Sequence, residues 1–326
     1  MPRIVSRVPL PSRGLDLTVV TVAAPAEKRA AAKGPVVVVS ANIHGDETTG
    51  VGAVLRLLGL LEHRLTRGTV HLYPSLNPEG LERRARKVPE DDQDLNRLFP
   101  GDAQGSPSER LAYAIWTELG ARHPDALIDL HADAPASIPY TLIDRPTGLR
   151  PMHREPLLTH TRALADATGL TVLHEYPEDR YARYRLDRSL TGAVLNRLQV
   201  PALTIEAGPR LYLDPRAVDT AVDGVLGVLA ALDMVPEASA AHATRVGGGP
   251  WRRDAGPRAS VSGVLFPRVP PGVLLAPGAI VAEVRSLAGA VVEELAAETP
   301  GFVVSHAERA HVVAGVPVCT WAMSEP

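Results

Sequence analysis

Four residues of the chain suit hydrolytic chemistry at a metal ion: His44, Glu47, His131 and Glu206. His44-Gly45-Asp46-Glu47 sets an imidazole and a carboxylate three residues apart, with Gly45 permitting the tight turn that aims both at one point. Zinc commonly takes two such local ligands and a third from elsewhere, keeping a fourth position for water. His131 ends the apolar run Ile128-Asp129-Leu130 with a polar side chain, which makes it the best third ligand. Two imidazoles and a carboxylate also accept cobalt, nickel or manganese, so the residues call for a divalent ion before they call for zinc. Water activated by such an ion must pass a proton to a carboxylate, which carries it to the leaving group. Glu206, ending Leu203-Thr204-Ile205, is the candidate general base, and the small Ala207-Gly208 pair beside it leaves room for a substrate.

The stretch Asp94-Leu95-Asn96-Arg97-Leu98-Phe99-Pro100-Gly101 offers a second function. Arg97 can hold a substrate carboxylate bidentately and Asn96 can add a donor beside it. Asp94 is suited to orient His44, since a metal-bound imidazole usually donates its other N–H to a carboxylate. Upstream, Arg83, Arg84 and Arg86 are all candidates to face a developing oxyanion. Taken singly, each residue has an ordinary reading: a hydrogen-bonded core histidine, a surface glutamate, a solvated acidic run over Glu90–Asp94. What weighs against those readings is a shared position.

That position is the end of an apolar run. Val36–Ser40, Thr69–Pro74, Ala126–His131 and Ala202–Glu206 read as buried strands. Thr48–His63, Ser108–Arg122 (with a Ser cap), His153–Gly169, Leu190–Gln199 and Pro215–Met234 read as helices. Asn77 to Pro107 reads as a long loop, of the kind that often carries function. Strands alternating with helices imply a mostly parallel sheet covered on both faces. In such a sheet, sites form beyond the carboxyl ends of the strands, which is where His44, His131 and Glu206 fall. The alternation defines a catalytic α/β domain over residues 1–235; an Ala-, Gly- and Pro-rich stretch at 236–259 reads as a linker; short Val/Leu runs over 260–326 read as a small all-β domain.

Composition removes several alternatives. The 326 residues carry a formal charge of −3 and 4% aromatics, which argues against nucleic acid as a partner. The single cysteine, Cys319, excludes an internal disulfide and a cysteine-built zinc site. No apolar run is long enough to span a bilayer and no leader pattern opens the chain, so a cytoplasmic location without a membrane partner is the expectation.

His44-Gly45-Asp46-Glu47, Asn77-Pro78-Glu79-Gly80, Asp94-Leu95-Asn96-Arg97 with Phe99-Pro100-Gly101, Asp129-Leu130-His131 and Thr204-Ile205-Glu206 together resemble the succinylglutamate desuccinylase/aspartoacylase family, a branch of the zinc carboxypeptidase superfamily. The motifs run in that family's order from about Val36 to Gly208. The resemblance implies an α/β/α mixed sheet with a small C-terminal β-barrel-like domain bordering the active site. It implies one zinc on His44, Glu47 and His131, with Glu206 as base. It implies Arg86 at the scissile carbonyl and Asn96 and Arg97 at a substrate carboxylate. Tyr184 lies where the superfamily carries a substrate-covering tyrosine. Ala132-Asp133 departs from the Thr-Gly of many relatives, which leaves the substrate open.

The expected activity is zinc-dependent hydrolysis of the amide of an N-acyl amino acid or related small acylated amine. A metallocarboxypeptidase acting on a peptide or cell-wall fragment uses the same machinery, and a catalytically inactive binding protein on the same fold is the reading from another class. Self-association into a homo-oligomer stays open.

Overall fold

The computed structural model describes residues 3–11, 15–25, 34–236 and 245–325. A hairpin opens the chain, β1 (Arg3–Pro9) against β2 (Asp16–Ala23). There follow β3 (Val36–Ala41), α1 (Thr49–Arg64), β4 (Thr69–Tyr73), α2 (Pro78–Arg83), α3 (Pro107–Ala121) and β5 (Ala126–His131). Next come β6 (Tyr140–Ile143), α4 (Pro151–Ala167), β7 (Thr171–His174), α5 (Glu178–Arg183), α6 (Leu190–Ala193), β8 (Ala202–Glu206) and α7 (Pro215–Ala231). The remainder is all strand: β9 (Trp251–Ala255), β10 (Gly263–Pro267), β11 (Leu274–Leu275), β12 (Ile280–Arg285), β13 (Val291–Ala296), β14 (Gly301–His306), β15 (His311–Val312) and β16 (Cys319–Ser324).

Twelve strands form one mixed sheet in the order β1-β2-β4-β3-β5-β8-β6-β7-β9-β16-β14-β11. Its centre, β4-β3-β5-β8, is parallel, and antiparallel strands flank it. The sheet is therefore less parallel than strand–helix alternation suggests, because β6 runs against β8. Alternation along each strand divides the core. Val37, Val39, Ile128, Leu130, Leu203 and Ile205 face α1, α4 and α7. Val38, Leu127 and Ala202 face the opposite way, toward α3 and α6. A second sheet, β13-β12-β10-β15, is antiparallel.

Three local expectations change. The cap of α3 is Ser106, which forms a reciprocal capping box with Glu109; Ser108 is instead buried and donates to Asp91. The long loop after Asn77 contains α2 and a single turn of 3-10 helix at Leu95–Arg97. The stretch at 236–259 is not linker throughout: Trp251–Ala255 is β9, which pairs with β7 on one side and β16 on the other. Its glycines and prolines lie before and after that strand, and residues 237–244 fall outside those described. The polypeptide after α7 thus extends the main sheet before it builds the small one.

The C-terminal tail is anchored to the same region. Glu325 pairs with His174 of β7 and with Arg145, whose guanidinium donates to Glu325 at 2.8 Å. Burial alone would raise the Glu325 carboxyl, but these two partners hold it down at about 2. Its unfolded value is about 4.3, so the contact adds stability above that pH and loses it as the pH falls toward the folded value. Glu325→Gln is expected to flatten the acid limb of the curve of unfolding free energy against pH between about 4.3 and 2. An unchanged acid limb would mean that the tail is not held by this carboxylate.

Candidate metal centre and active site

The loop after β3 is shaped by Asn42, which sits in the left-handed region at φ 58°. Its side-chain amide donates to the carbonyls of His44, Gly45 and Glu47 at 3.0, 3.1 and 2.9 Å. Gly45 is needed for space rather than for an unusual φ: a Cβ there would lie 2.0 Å from the Gly80 carbonyl carbon of α2. Held this way, His44 and Glu47 meet His131 from the end of β5, and the three offer ligand atoms within 4.8 Å of one another. All three are buried.

The hydrogen bonds orient both rings alike. His44 Nδ1 lies 2.9 Å from Glu47 Oε1 and His131 Nδ1 lies 2.8 Å from Glu47 Oε2. The far nitrogens meet carboxylates: His44 Nε2 lies 3.2 Å from Asp94, and His131 Nε2 lies 2.9 Å from Asp129. With a metal bound, an Nε2–H donated to a carboxylate would leave Nδ1 as the inward lone pair, which is the arrangement of a metal-binding imidazole. Burial alone would lower the His131 imidazole, yet Asp129 and Glu47 hold it well above its ordinary value. Burial alone would raise the Glu47 carboxyl, yet His44 and His131 hold it well below. Carboxylates that favour a proton at this point also favour a divalent cation there. Two imidazoles and one carboxylate with carboxylates behind them fit zinc.

The donors open onto a cavity of about 430 Å³. Glu206 lines it from β8, where it is registered against His131 on one side and Tyr140 on the other. Burial, with the neighbouring Glu47 and Asp133 carboxylates, pushes the Glu206 carboxyl up to about 7 despite the opposing pull of His131. Arg86 lines the cavity and donates to Glu47 at 2.7 Å. Asn96 and Arg97 also line it. The Asn96 Oδ1 accepts from the Leu190 N–H at 2.7 Å, which leaves its NH2 group free to donate. Tyr184 is not on the wall: it is 38% exposed and packs edge-on against Tyr176, centroids 5.2 Å apart, and Tyr176 is the ring that lines the cavity.

The structure adds residues that the sequence did not single out. Arg253 of β9 reaches the cavity and holds Glu175. Asp144 and Glu175 lie one residue beyond β6 and β7, the same strand-end position that marked His131 and Glu206, so their signal was present. Asp129, named from sequence only within the run and motif that end at His131, lies on the same strand face as His131 and backs its ring, a role that period-two alternation could have suggested. Ser305, His306, Glu308 and Thr320, all after residue 260, also line the cavity. Arg210 joins the two parts, pairing with Glu308 and, at 3.8 Å, with Asp46 of the metal loop.

The mixed α/β fold is of the metallo-carboxypeptidase type, with a candidate metal site at its strand ends. The model of the succinylglutamate desuccinylase/aspartoacylase catalytic domain matches residues 33–232, more than half of the chain. The chain belongs to that family, whose members include amide-bond deacylases. A curated relative, the N-alpha-acetyl-L-2,4-diaminobutyric acid deacetylase of Halomonas elongata, is 33% identical over 100 residues, covering 31% of this chain and 29% of that protein. The chain thus matches under a third of that relative's length. Among solved structures, a succinylglutamate desuccinylase/aspartoacylase from Rhodobacter sphaeroides superposes with a TM-score of 0.78 at 22% identity over 99% of this chain and 96% of that one. The product-bound ectoine utilization protein EutE (DoeB) from Ruegeria pomeroyi gives 0.75 at 17% identity over 98% and 94%. A metallo-carboxypeptidase from Burkholderia cenocepacia gives 0.54 at 20% identity over 71% and 65%. At these identities the structures show a shared fold. No helix among the described residues is long and apolar enough to cross a membrane.

Removing the carboxylate behind His131 tests the metal centre. Asp129→Asn is expected to weaken zinc binding by roughly ten- to a hundredfold in a competition titration against a chelator. An unchanged affinity would mean that Nδ1 of His131 is not a ligand.

Proposed function

We propose that the protein is a zinc-dependent deacylase that hydrolyses the amide of an N-acyl amino acid or a related small acylated amine. The observation that carries this reading is one cavity holding both a His44–Glu47–His131 donor set and Glu206 on the adjacent strand. When bound, zinc supplies Lewis-acid activation of water and of the scissile carbonyl. Glu206 takes the proton of the attacking water and delivers it to the amide nitrogen as the carbon–nitrogen bond breaks, giving a carboxylate and a free amine. Burial gives its carboxyl the basicity that this shuttle needs. Arg86, beside Glu47, stabilises negative charge developing on the carbonyl oxygen. Arg97 and the free amide donor of Asn96 hold a substrate carboxylate. Tyr184 acts through Tyr176, bracing the ring that contacts the substrate.

Family membership and the diaminobutyrate deacetylase relative support deacylation over peptide trimming. So does the contribution that Ser305, His306 and Glu308 of the C-terminal strands make to the cavity wall. A small acylated molecule is therefore the proposed substrate and the cytoplasm the proposed location. Glu206→Gln is expected to keep the metal and lose turnover by about two to four orders of magnitude. A variant with full metal content and a near-normal rate would remove Glu206 from the base role.

A further inference from the structure

The cavity is a slot with a floor made by one face of the sheet. Alternate residues of β6 line it, Tyr140 and Leu142, and so does Asp144 just past the strand. Thr204 and Glu206 of β8 continue the floor. Thr141 and Ile143 turn the other way, toward Thr168 and the core under α4 and α7. Tyr140 is registered against Glu206. Asp144 lies four residues further along, roughly 13 Å at ~3.3 Å per residue. One end of the slot is the reaction centre and the other ends near a carboxylate.

That carboxylate shares its counter-charge: the field of Arg253 reaches it, but that guanidinium is bonded to Glu175. Asp144 is 5% exposed. It accepts from Tyr181 at 2.8 Å and from the Thr191 hydroxyl, both neutral donors. The adjacent Glu175 takes Arg253 on both oxygens at 2.7 Å, so that guanidinium is committed elsewhere. No salt bridge reaches Asp144 among the described residues. A buried carboxylate in this state is unfavourable, and an entering cation relieves it. We propose that Asp144 is a specificity-determining residue that binds a positively charged side chain, an amine or guanidinium, on the acylated amino acid whose amide lies at the Glu206 end. The proposal rests on the deacylase reading for the amide and on the slot for the cation. Burial and the Glu175 charge raise the Asp144 carboxyl to about 7, and a bound cation draws it down again.

Calorimetric titration of the zinc-loaded full chain with L-ornithine and L-norleucine tests it, because these two amino acids have the same shape and differ in the terminal charge. Ornithine is expected to bind roughly ten- to a hundredfold more tightly. Asp144→Asn is expected to abolish that preference while leaving norleucine binding unchanged, which a misfolded variant could not do. Equal affinities in the unaltered protein, or a preference that survives Asp144→Asn, would overturn the proposal. Hydrolysis separates it from the deacylase reading. Equal kcat/KM for Nα-acetylornithine and Nα-acetylnorleucine would keep the deacylase and overturn Asp144. No cleavage of either, with the binding preference intact, would support the cation site and remove the deacylase.

Discussion

A carboxylate enclosed between two imidazoles is stable only if each oxygen is satisfied, and the site is built around that requirement at Glu47. One oxygen meets His44 and Arg86; the other meets His131 and the backbone N–H of Ala132. These partners come from the loop after β3, the end of β5 and the long loop beyond α2. Displacing any one of them leaves charge buried without compensation, a penalty of several kcal/mol in general. Asn42 and the close approach of Gly45 to Gly80 are the backbone devices that keep the loop where Glu47 needs it.

The parallel centre of the sheet explains how distant residues meet. β3, β5 and β8 run side by side in one direction, so their carboxyl ends bring His44, His131 and Glu206 to one edge. The helices pack by alternation on either face and leave that edge free. The strands after α7 then wall it. β9 carries Arg253 into the cavity, and the turn after β14 brings Glu308 to Arg210. Burial at this edge, beside the Glu47 and Asp133 carboxylates, raises the basicity of Glu206.

His44, His131 and Glu206 were legible because each is polar at or just past the end of an apolar run, a contrast that only a site or a satisfied hydrogen-bond network sustains; Glu47 was legible only through its spacing from His44. Asp144 and Glu175 obey the same rule but sit after the short strands β6 and β7, which carry too few residues to stand out by pattern. Arg253 was hidden by flanking glycine and proline, whose turn signals outweighed a five-residue strand that is apolar only at its first residue and at Ala255. The opening hairpin escaped notice because β1 is largely exposed and is held by pairing to β2 rather than by burial. Tyr184 was suggested by the resemblance alone; it packs edge-on against Tyr176, and Tyr176 is the ring that lines the cavity.

The central claim is that the three donors hold a metal ion on which amide hydrolysis depends. The most direct measurement is the zinc content of the purified full chain, followed through chelation and reloading, with hydrolysis of N-acetylated amino acids recorded on the same samples. The account predicts one zinc per chain, loss of hydrolysis with loss of metal, recovery on reloading, and no stoichiometric zinc in a His44→Ala, His131→Ala double variant. Hydrolysis that persists after the metal is removed, or full zinc retention by that double variant, would contradict it.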